Sequence, residues 1–339
     1  EHYRIQLMML VTQTRATGLA DSKMGIESLS KFLSITTLPS REIEMDRSIL
    51  HRMCVPVRSV RGSSAKLSCG PSGCLENPRS EGGQTGFLSF LCAEGHIDGH
   101  FDPVTLEFTK FSRPRRIRTS GDVLDWAISR ALNPLTSYIV KSVRVHVVLE
   151  PSKARVITVP SFAYMVIMQV FAHIWLPLFK FREINSGLHS TDHLWNFLRR
   201  NLDPSDTVWE HLSEYETIWA LSTDLETATD NGNISVARQI WQSLLSESLF
   251  VPGFPMGLAV LAKTLYLSNR PIIKGREILF KKKGWLMGDP MTKLLLTLAD
   301  LYALRTSGVK VASMVGDDVI ALSSNRRSLK GYLRSIESL

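Results

Sequence analysis

The chain alternates between two periodicities. Lys310 to Ser323 sets two apolar, β-branched arms around Gly316-Asp317-Asp318, the pattern of a β-hairpin. Val143 to Leu149 reads as a strand, Glu150-Pro151-Ser152 as a turn, and Lys153 to Pro160 as a second strand. Side chains alternate along a strand, so Lys153 and Arg155 fall on one side of it. Ile218 to Thr223 is a further apolar strand, and it leads into Asp224. Helical spacing links Val123, Leu124, Ala127, Ile128 and Ala131 within a helix from Asp122 to Leu132. It returns at Ile234, Ala237, Trp241, Leu244 and Leu245, behind Asn233 as N-cap. It returns again at Leu294, Leu295, Leu298 and Leu301, where Asp289 is the expected N-cap and Pro290 the expected first helical residue. Residues 1–60 read as loosely amphipathic helices, and Ser328 to Leu339 as a polar helix. The Gly-, Ser- and Cys-rich stretch from Arg61 to His100 reads as loops and turns.

Composition narrows the classes. With 339 residues, 44% of them apolar and 21% charged, the chain is globular rather than disordered. Its net charge of +8 favours a polyanionic partner. Runs such as Arg113-Pro114-Arg115-Arg116-Ile117-Arg118, Lys281-Lys282-Lys283 and Arg326-Arg327 make nucleic acid the leading class, ahead of a membrane surface. Phe162 to Phe179 is almost wholly apolar, but Gln169, His173 and Pro177 mark it as a buried helix rather than a membrane span. Four cysteines are no disulfide scaffold and suggest a reducing compartment. Cys69, Cys74, Cys92, His96 and His100 are zinc-type ligands, but they lack a Cys-x-x-Cys pair, so a structural zinc is the lesser reading. The first residue is glutamate, which suggests a fragment or a processed piece.

Three stretches carry candidate chemistry, each with a plain alternative. Two adjacent carboxylates at a hairpin tip repel unless a cation neutralises them, and oxygen-only ligands suit Mg²⁺; the alternative is a solvated acidic turn. Lys153 and Arg155 could clamp a triphosphate, or simply protect an edge strand. Asp224 and Asp230 could contact a ligand where a strand ends, or serve as turn and capping acids. Gly284 and Gly288 flank a turn that must approach a ligand closely or move.

In their order along the chain these stretches resemble a viral RNA-dependent RNA polymerase of the narnavirus, mitovirus and ourmia-like group, distantly allied to the RNA-phage replicases. Lys153-Ala154-Arg155-Val156-Ile157-Thr158 resembles motif F, Asp224-Leu225-Glu226-Thr227-Ala228-Thr229-Asp230 motif A, Gly284 to Lys293 motif B, and Gly316-Asp317-Asp318 motif C. Ser72 to Gly83 is similar to motif G. The resemblance implies an α+β right-hand polymerase fold with an antiparallel palm sheet. Its segments would be an N-terminal helical extension (1–60), fingers (61–160), a first palm part (161–245), a fingers insertion (246–283) and a second palm part (284–339). Motifs D and E and the thumb would lie past Leu339.

The function so implied is RNA-templated RNA synthesis by two-metal nucleotidyl transfer. Asp224 and Asp317 would hold two Mg²⁺ ions, with Mn²⁺ as an alternative, and Asp318 would be a secondary ligand. Lys153, Arg155 and Gly288 would bind the ribonucleoside triphosphate, and Asp230 and Thr292 would sense its ribose. The basic clusters would track template and product RNA. The implied location is the host cytoplasm, or the mitochondrion for a mitovirus-like chain. A reverse transcriptase is the first rival, opposed by Val315 where an aromatic residue is usual. A non-catalytic genome-RNA-binding protein retaining a palm is the second, opposed by the retained acid pair.

Overall fold

Local sequence sets most element boundaries. The computed structural model describes residues 18–60, 67–151, 153–181, 183–184, 217–223 and 228–339. Asp21 and Asp46 accept backbone N–H bonds and open helices α1 (Ser22–Thr36) and α2 (Arg47–Cys54). Helix α3 (Gly83–Glu94) leads through Gly95 into an antiparallel ribbon of β1 (His96–Phe101) and β2 (Phe108–Arg116). Thr119 and Asp122 form a reciprocal capping box at the start of α4 (Ser120–Leu132). Asn133, followed by Pro134, opens α5 (Pro134–Lys141).

Strands β3 (Val143–Glu150) and β4 (Lys153–Pro160) form the expected hairpin, with Glu150 opposite Lys153. Ser161 caps α6 (Phe162–Trp175), the apolar stretch, nine of whose residues are buried. Among the described residues no helix is long and apolar enough to cross a membrane. After β5 (Trp219–Thr223) comes a helical turn, Ala228–Asn231, and then α7 (Ile234–Ser248). Asn233 caps α7 as expected, accepting from Ser235 N–H. Helix α8 (Met256–Leu267), strands β6 (Pro271–Lys274) and β7 (Glu277–Phe280), and helix α9 (Thr292–Ser307) follow. Strands β8 (Val311–Val315) and β9 (Asp318–Ser323) and helix α10 (Arg326–Ser338) complete the chain.

The described residues make an α+β protein. Besides the ribbon there is a mixed sheet in the order β4-β3-β6-β7, in which β3 runs parallel to β6, and an antiparallel sheet in the order β5-β9-β8. Helix α1 packs on the mixed sheet through Phe32, which joins Val143, Val156, Ile272 and Leu286 in one cluster. The main core gathers α6, α7, α8 and α9, with Trp175 stacked on Phe254 and Trp241 meeting Trp175 and Phe171 edge-on at its centre. Helices α9 and α10 close one face of the three-stranded sheet, where Val319 and Ala321 enter the core.

One stretch departs from the sequence reading. Arg61 to His100 is not loop throughout: α3 and β1 occupy its second half. Phe87, Leu88 and Leu91 lie on the side of α3 that packs on the core, and this apolar face outweighs its helix-weakening glycines. The zinc-type residues separate: His100 Nδ1 bonds Asp125 Oδ2 at 2.8 Å, His96 Nδ1 faces the Glu94 carbonyl, and Cys74 is buried. No group of three such side chains gathers among the described residues.

Candidate active site

The hairpin of β8 and β9 turns in two residues, Gly316 and Asp317, with Val315 paired to Asp318. Gly316 has φ of +66°, which the first position of this tight turn requires. Asp317 is half-buried and Asp318 exposed. Strand β9 is central, and its other neighbour β5 pairs antiparallel until Thr223 meets Val319. The next residue in sequence is Asp224, which with residues 225–227 lies outside the described residues. The tip sits over the first half of α9: a β-carbon built on Gly316 would stand 3.7 Å from Leu296 Cδ2.

One turn further along α9 stands a third acid. Asp300 is fully buried and accepts a 2.8 Å bond from the Tyr332 hydroxyl of α10. Its other oxygen has no partner among the described residues. Burial, and then the negative charge of Asp317, push its pKa up to about 8, so it is neutral at pH 7. An acid inside the apolar run Leu294–Leu304 is the signal that could have singled it out from sequence.

Lys153 and Arg155 project from β4 on one exposed face, as the alternation predicts. Both are turned onto Glu150 at the end of the partner strand: Arg155 Nε lies 3.1 Å and Lys153 Nζ 3.9 Å from its Oε2. The further end of β4 is bonded to the glycine turn. Thr158 N–H donates to the Met287 carbonyl at 2.9 Å, and the Thr158 hydroxyl donates to the same oxygen at 2.7 Å. Gly288, at φ +112°, passes so close that a β-carbon there would stand 2.4 Å from the Thr158 carbonyl oxygen.

The same turn is bonded to the segment after Asp224. Trp285 N–H donates to Thr229 O at 2.7 Å, and Gly284 N–H to Gly232 O at 2.8 Å. Asp230 lies in this junction, where burial pushes its pKa up to about 6 against the opposing pull of the Thr229 hydroxyl and the Lys31 charge. The turn-rich segment 72–83 adjoins the same strand, with Leu75 N–H on the Pro160 carbonyl and the Glu76 carboxylate on Phe162 N–H. The structure thus joins β4, the 228–232 turn and the 284–291 turn through backbone bonds.

Asp289 is not an N-cap, and Pro290 is not a helical residue. Helix α9 opens at Thr292, because the Asp289 carboxylate is taken by a buried cation: Arg270 Nη1 lies 2.5 Å from Asp289 Oδ2. Tyr164 donates to the same oxygen at 3.0 Å and lies flat beneath the guanidinium, 3.8 Å from its centre. Lys281, also buried, donates to the Gly284 carbonyl; burial and then the Arg270 charge push its pKa down to about 7. Thr292 is buried, with its hydroxyl 3.0 Å from the Leu286 carbonyl. These groups hold the glycine turn from behind. Lys281 is the exception in the basic run 281–283: it is buried on the Gly284 carbonyl and faces no polyanion, because the glycine turn closes over it. Arg270 and Glu150 carry no motif, and their roles emerge only from the packing.

The hairpin tip sets Asp317 and Asp318 side by side, one half-buried and one exposed. Beneath the tip, Asp300 is kept protonated chiefly by its burial and, to a lesser degree, by the negative charge of Asp317. No protein-family model matches the chain, and no curated protein matches it.

Proposed function

We propose that the chain is the catalytic part of an RNA-templated RNA polymerase, its fingers and palm built as in the right-hand fold. The observation that carries this reading is the pairing of β5 with β9, which leaves β5 one residue before Asp224 and beside the turn that bears Asp317 and Asp318. An acid following β5 in sequence and the acids at the neighbouring turn are what a shared pair of Mg²⁺ ions would need, with Asp224 and Asp317 as ligands and Asp318 in support. Bound there, the ions supply Lewis-acid stabilisation of the attacking hydroxyl and of the leaving pyrophosphate.

The chain's own groups position the reactants. Lys153 and Arg155 exchange Glu150 for the triphosphate, Arg155 offering a planar fork and Lys153 a mobile point charge. Gly288 brings exposed backbone against the edge of β4 at Thr158. Asp230 and the Thr292 turn fix the nucleotide's ribose end, Thr292 by holding the Leu286 carbonyl rather than by direct contact. Most of the rate enhancement then comes from orientation and charge.

The test is template-dependent incorporation of labelled ribonucleotides by the full-length protein, with and without Mg²⁺. Incorporation should require the ion and fall to background in Asp317→Ala, while that variant retains RNA in a gel shift. An Asp317→Ala protein that still incorporates nucleotide at wild-type rate would overturn the reading. So would a wild-type protein that incorporates deoxyribonucleotides in preference.

A further inference from the structure

The β1–β2 ribbon does no work in the proposed chemistry, and its anatomy is unusual. Strand β1 buries alternate residues, Ile97, Gly99 and Phe101, and Asp125 of α4 anchors it by accepting from Phe101 N–H at 2.9 Å. Strand β2 buries none of its nine residues, and only Phe111 is even half-buried. The ladder is broken between Ile97–Arg115 and Gly99–Lys110, so the single residue Asp98 faces the four residues 111–114. Strand β2 therefore bulges over those four positions, of which only Phe111 packs on the core. Ile117, almost fully buried and bonded to the Gly95 carbonyl, pins the chain again where the strand ends.

Residues 108–118 carry Lys110, Arg113, Arg115, Arg116 and Arg118 and no acid. Among the described residues none of the five lies within ion-pair distance of a carboxylate, in contrast to Lys153, Arg155, Arg58 and Arg270, each of which has one. Arg115 lies flat on the Phe111 ring, 4.0 Å from its centre. That contact holds an exposed guanidinium in place, and a held guanidinium loses less freedom when it takes a phosphate. Phe108 adds an exposed ring on the same strand. Edge protection explains one or two charges and Pro114, but not five cations on a strand that has no apolar face to hide.

We propose that the β1–β2 ribbon is a docking strand for single-stranded RNA, binding the backbone through Arg113, Arg115 and Arg116 without regard to base sequence. The charge is matched by phosphates, the uncompensated arginines supply forks, and the exposed Phe108 ring offers a stacking surface to an unpaired base. This rests on the polymerase reading, which has RNA follow the basic clusters, and names the strand that holds it; it is tested separately because binding here needs neither metal nor nucleotide.

The experiment is fluorescence anisotropy of a labelled 20-nucleotide RNA with the full chain over a series of KCl concentrations. Arg113→Ala/Arg115→Ala/Arg116→Ala should weaken binding by at least about tenfold at low salt. It should also make the log–log salt slope shallower by about 2, since each lost contact to a single strand removes roughly 0.7. All three positions are exposed, so the fold should survive, as circular dichroism will verify. A control removing equal charge from exposed sites elsewhere, Arg47→Ala/Arg52→Ala/Arg276→Ala, should stay within about twofold.

Equal losses in both triple variants would mean a net-charge effect and would overturn the proposal, as would an unchanged ribbon variant. The same variant losing affinity for phosphatidylserine vesicles but not for RNA would reassign the ribbon to a membrane. Because the readout is binding, a wild-type protein with no incorporation activity would refute the polymerase reading and leave this one standing.

Discussion

Replacing Arg270 and Asp289 singly and together separates two possible reasons for a buried ion pair. Arg270 is completely shielded from solvent, and Asp289 nearly so. Their contact is close, but Arg270 Nη2 and Asp289 Oδ1 have no partner among the described residues, so the pair is incompletely satisfied. Arg270→Met strands the Asp289 carboxylate in the core, which typically costs about 3–5 kcal/mol, and it removes the stacking on Tyr164 as well. Asp289→Leu strands the guanidinium and the Tyr164 hydroxyl at a similar cost. The double variant leaves no stranded charge. What remains is the orphaned Tyr164 hydroxyl and the Lys141 carbonyl that Arg270 Nε met, together about 2–4 kcal/mol, partly offset by the added apolar packing. The singles should therefore sum to roughly 6–10 kcal/mol while the double loses only about 2, a coupling of about 4 kcal/mol or more. Urea unfolding of the four proteins, extrapolated linearly to water, measures it. A double variant as unstable as the sum of the singles would refute the reasoning. So would an Arg270→Met that loses less than about 1 kcal/mol.

Two further outcomes follow from the same region. Gly288→Ala should destabilise by about 3 kcal/mol or more in the same urea titration. The reasons are a side chain at φ +112°, worth about 1–3 kcal/mol, and the 2.4 Å approach to the Thr158 carbonyl; an unchanged midpoint would remove the close approach. The pH dependence of Tm should show two opposed slopes. Asp300 and Asp230 keep protons in the folded state that the unfolded chain releases, so their contribution is full below about pH 4. It is lost as pH rises through about 6 for Asp230 and about 8 for Asp300. Lys281 is neutral when folded above about 7 and protonated when unfolded, so its contribution grows from there towards about pH 10. Asp300→Asn should flatten the Tm decline between pH 6 and 8, and Lys281→Met the rise above it; unaltered slopes would contradict both assignments.

Much of the frame was legible in the sequence because it rests on local physics. Period-two patterning placed the β8–β9 and β3–β4 hairpins, and a side-chain cap placed the start of α7 at Asn233. The strand parity of Lys153 and Arg155 also held, but their shared partner Glu150 did not show, since nothing in a turn residue reveals which cation it will hold. The errors came where a distant residue won. Asp289 followed by Pro290 has the local form of a helix start, yet Arg270, nineteen positions earlier, takes the carboxylate into the core and α9 begins two residues after the proline. Helix α3 was hidden by glycines whose cost is repaid only by the core face of Phe87 and Leu91. Asp300 needed the hairpin and α10 to be folded over it before its neutral state made sense.

The joint between β4, the 228–232 turn and the glycine turn is made by main-chain atoms, and this shapes how such a chain can drift. A bond between Thr158 N–H and the Met287 carbonyl does not depend on what side chain position 287 carries, and the same holds for position 229, which gives a carbonyl to Trp285 N–H. Substitution there leaves the joint intact, whereas Gly232, Gly284 and Gly288 admit no β-carbon without meeting Trp285, Asp230 O and Thr158 O respectively. A saturation library across 228–232 and 284–291 would therefore be nearly silent at Met287 and sharply intolerant at the three glycines. Neighbouring positions in one short turn would evolve at very different speeds, and the slow ones would be those with no side chain at all.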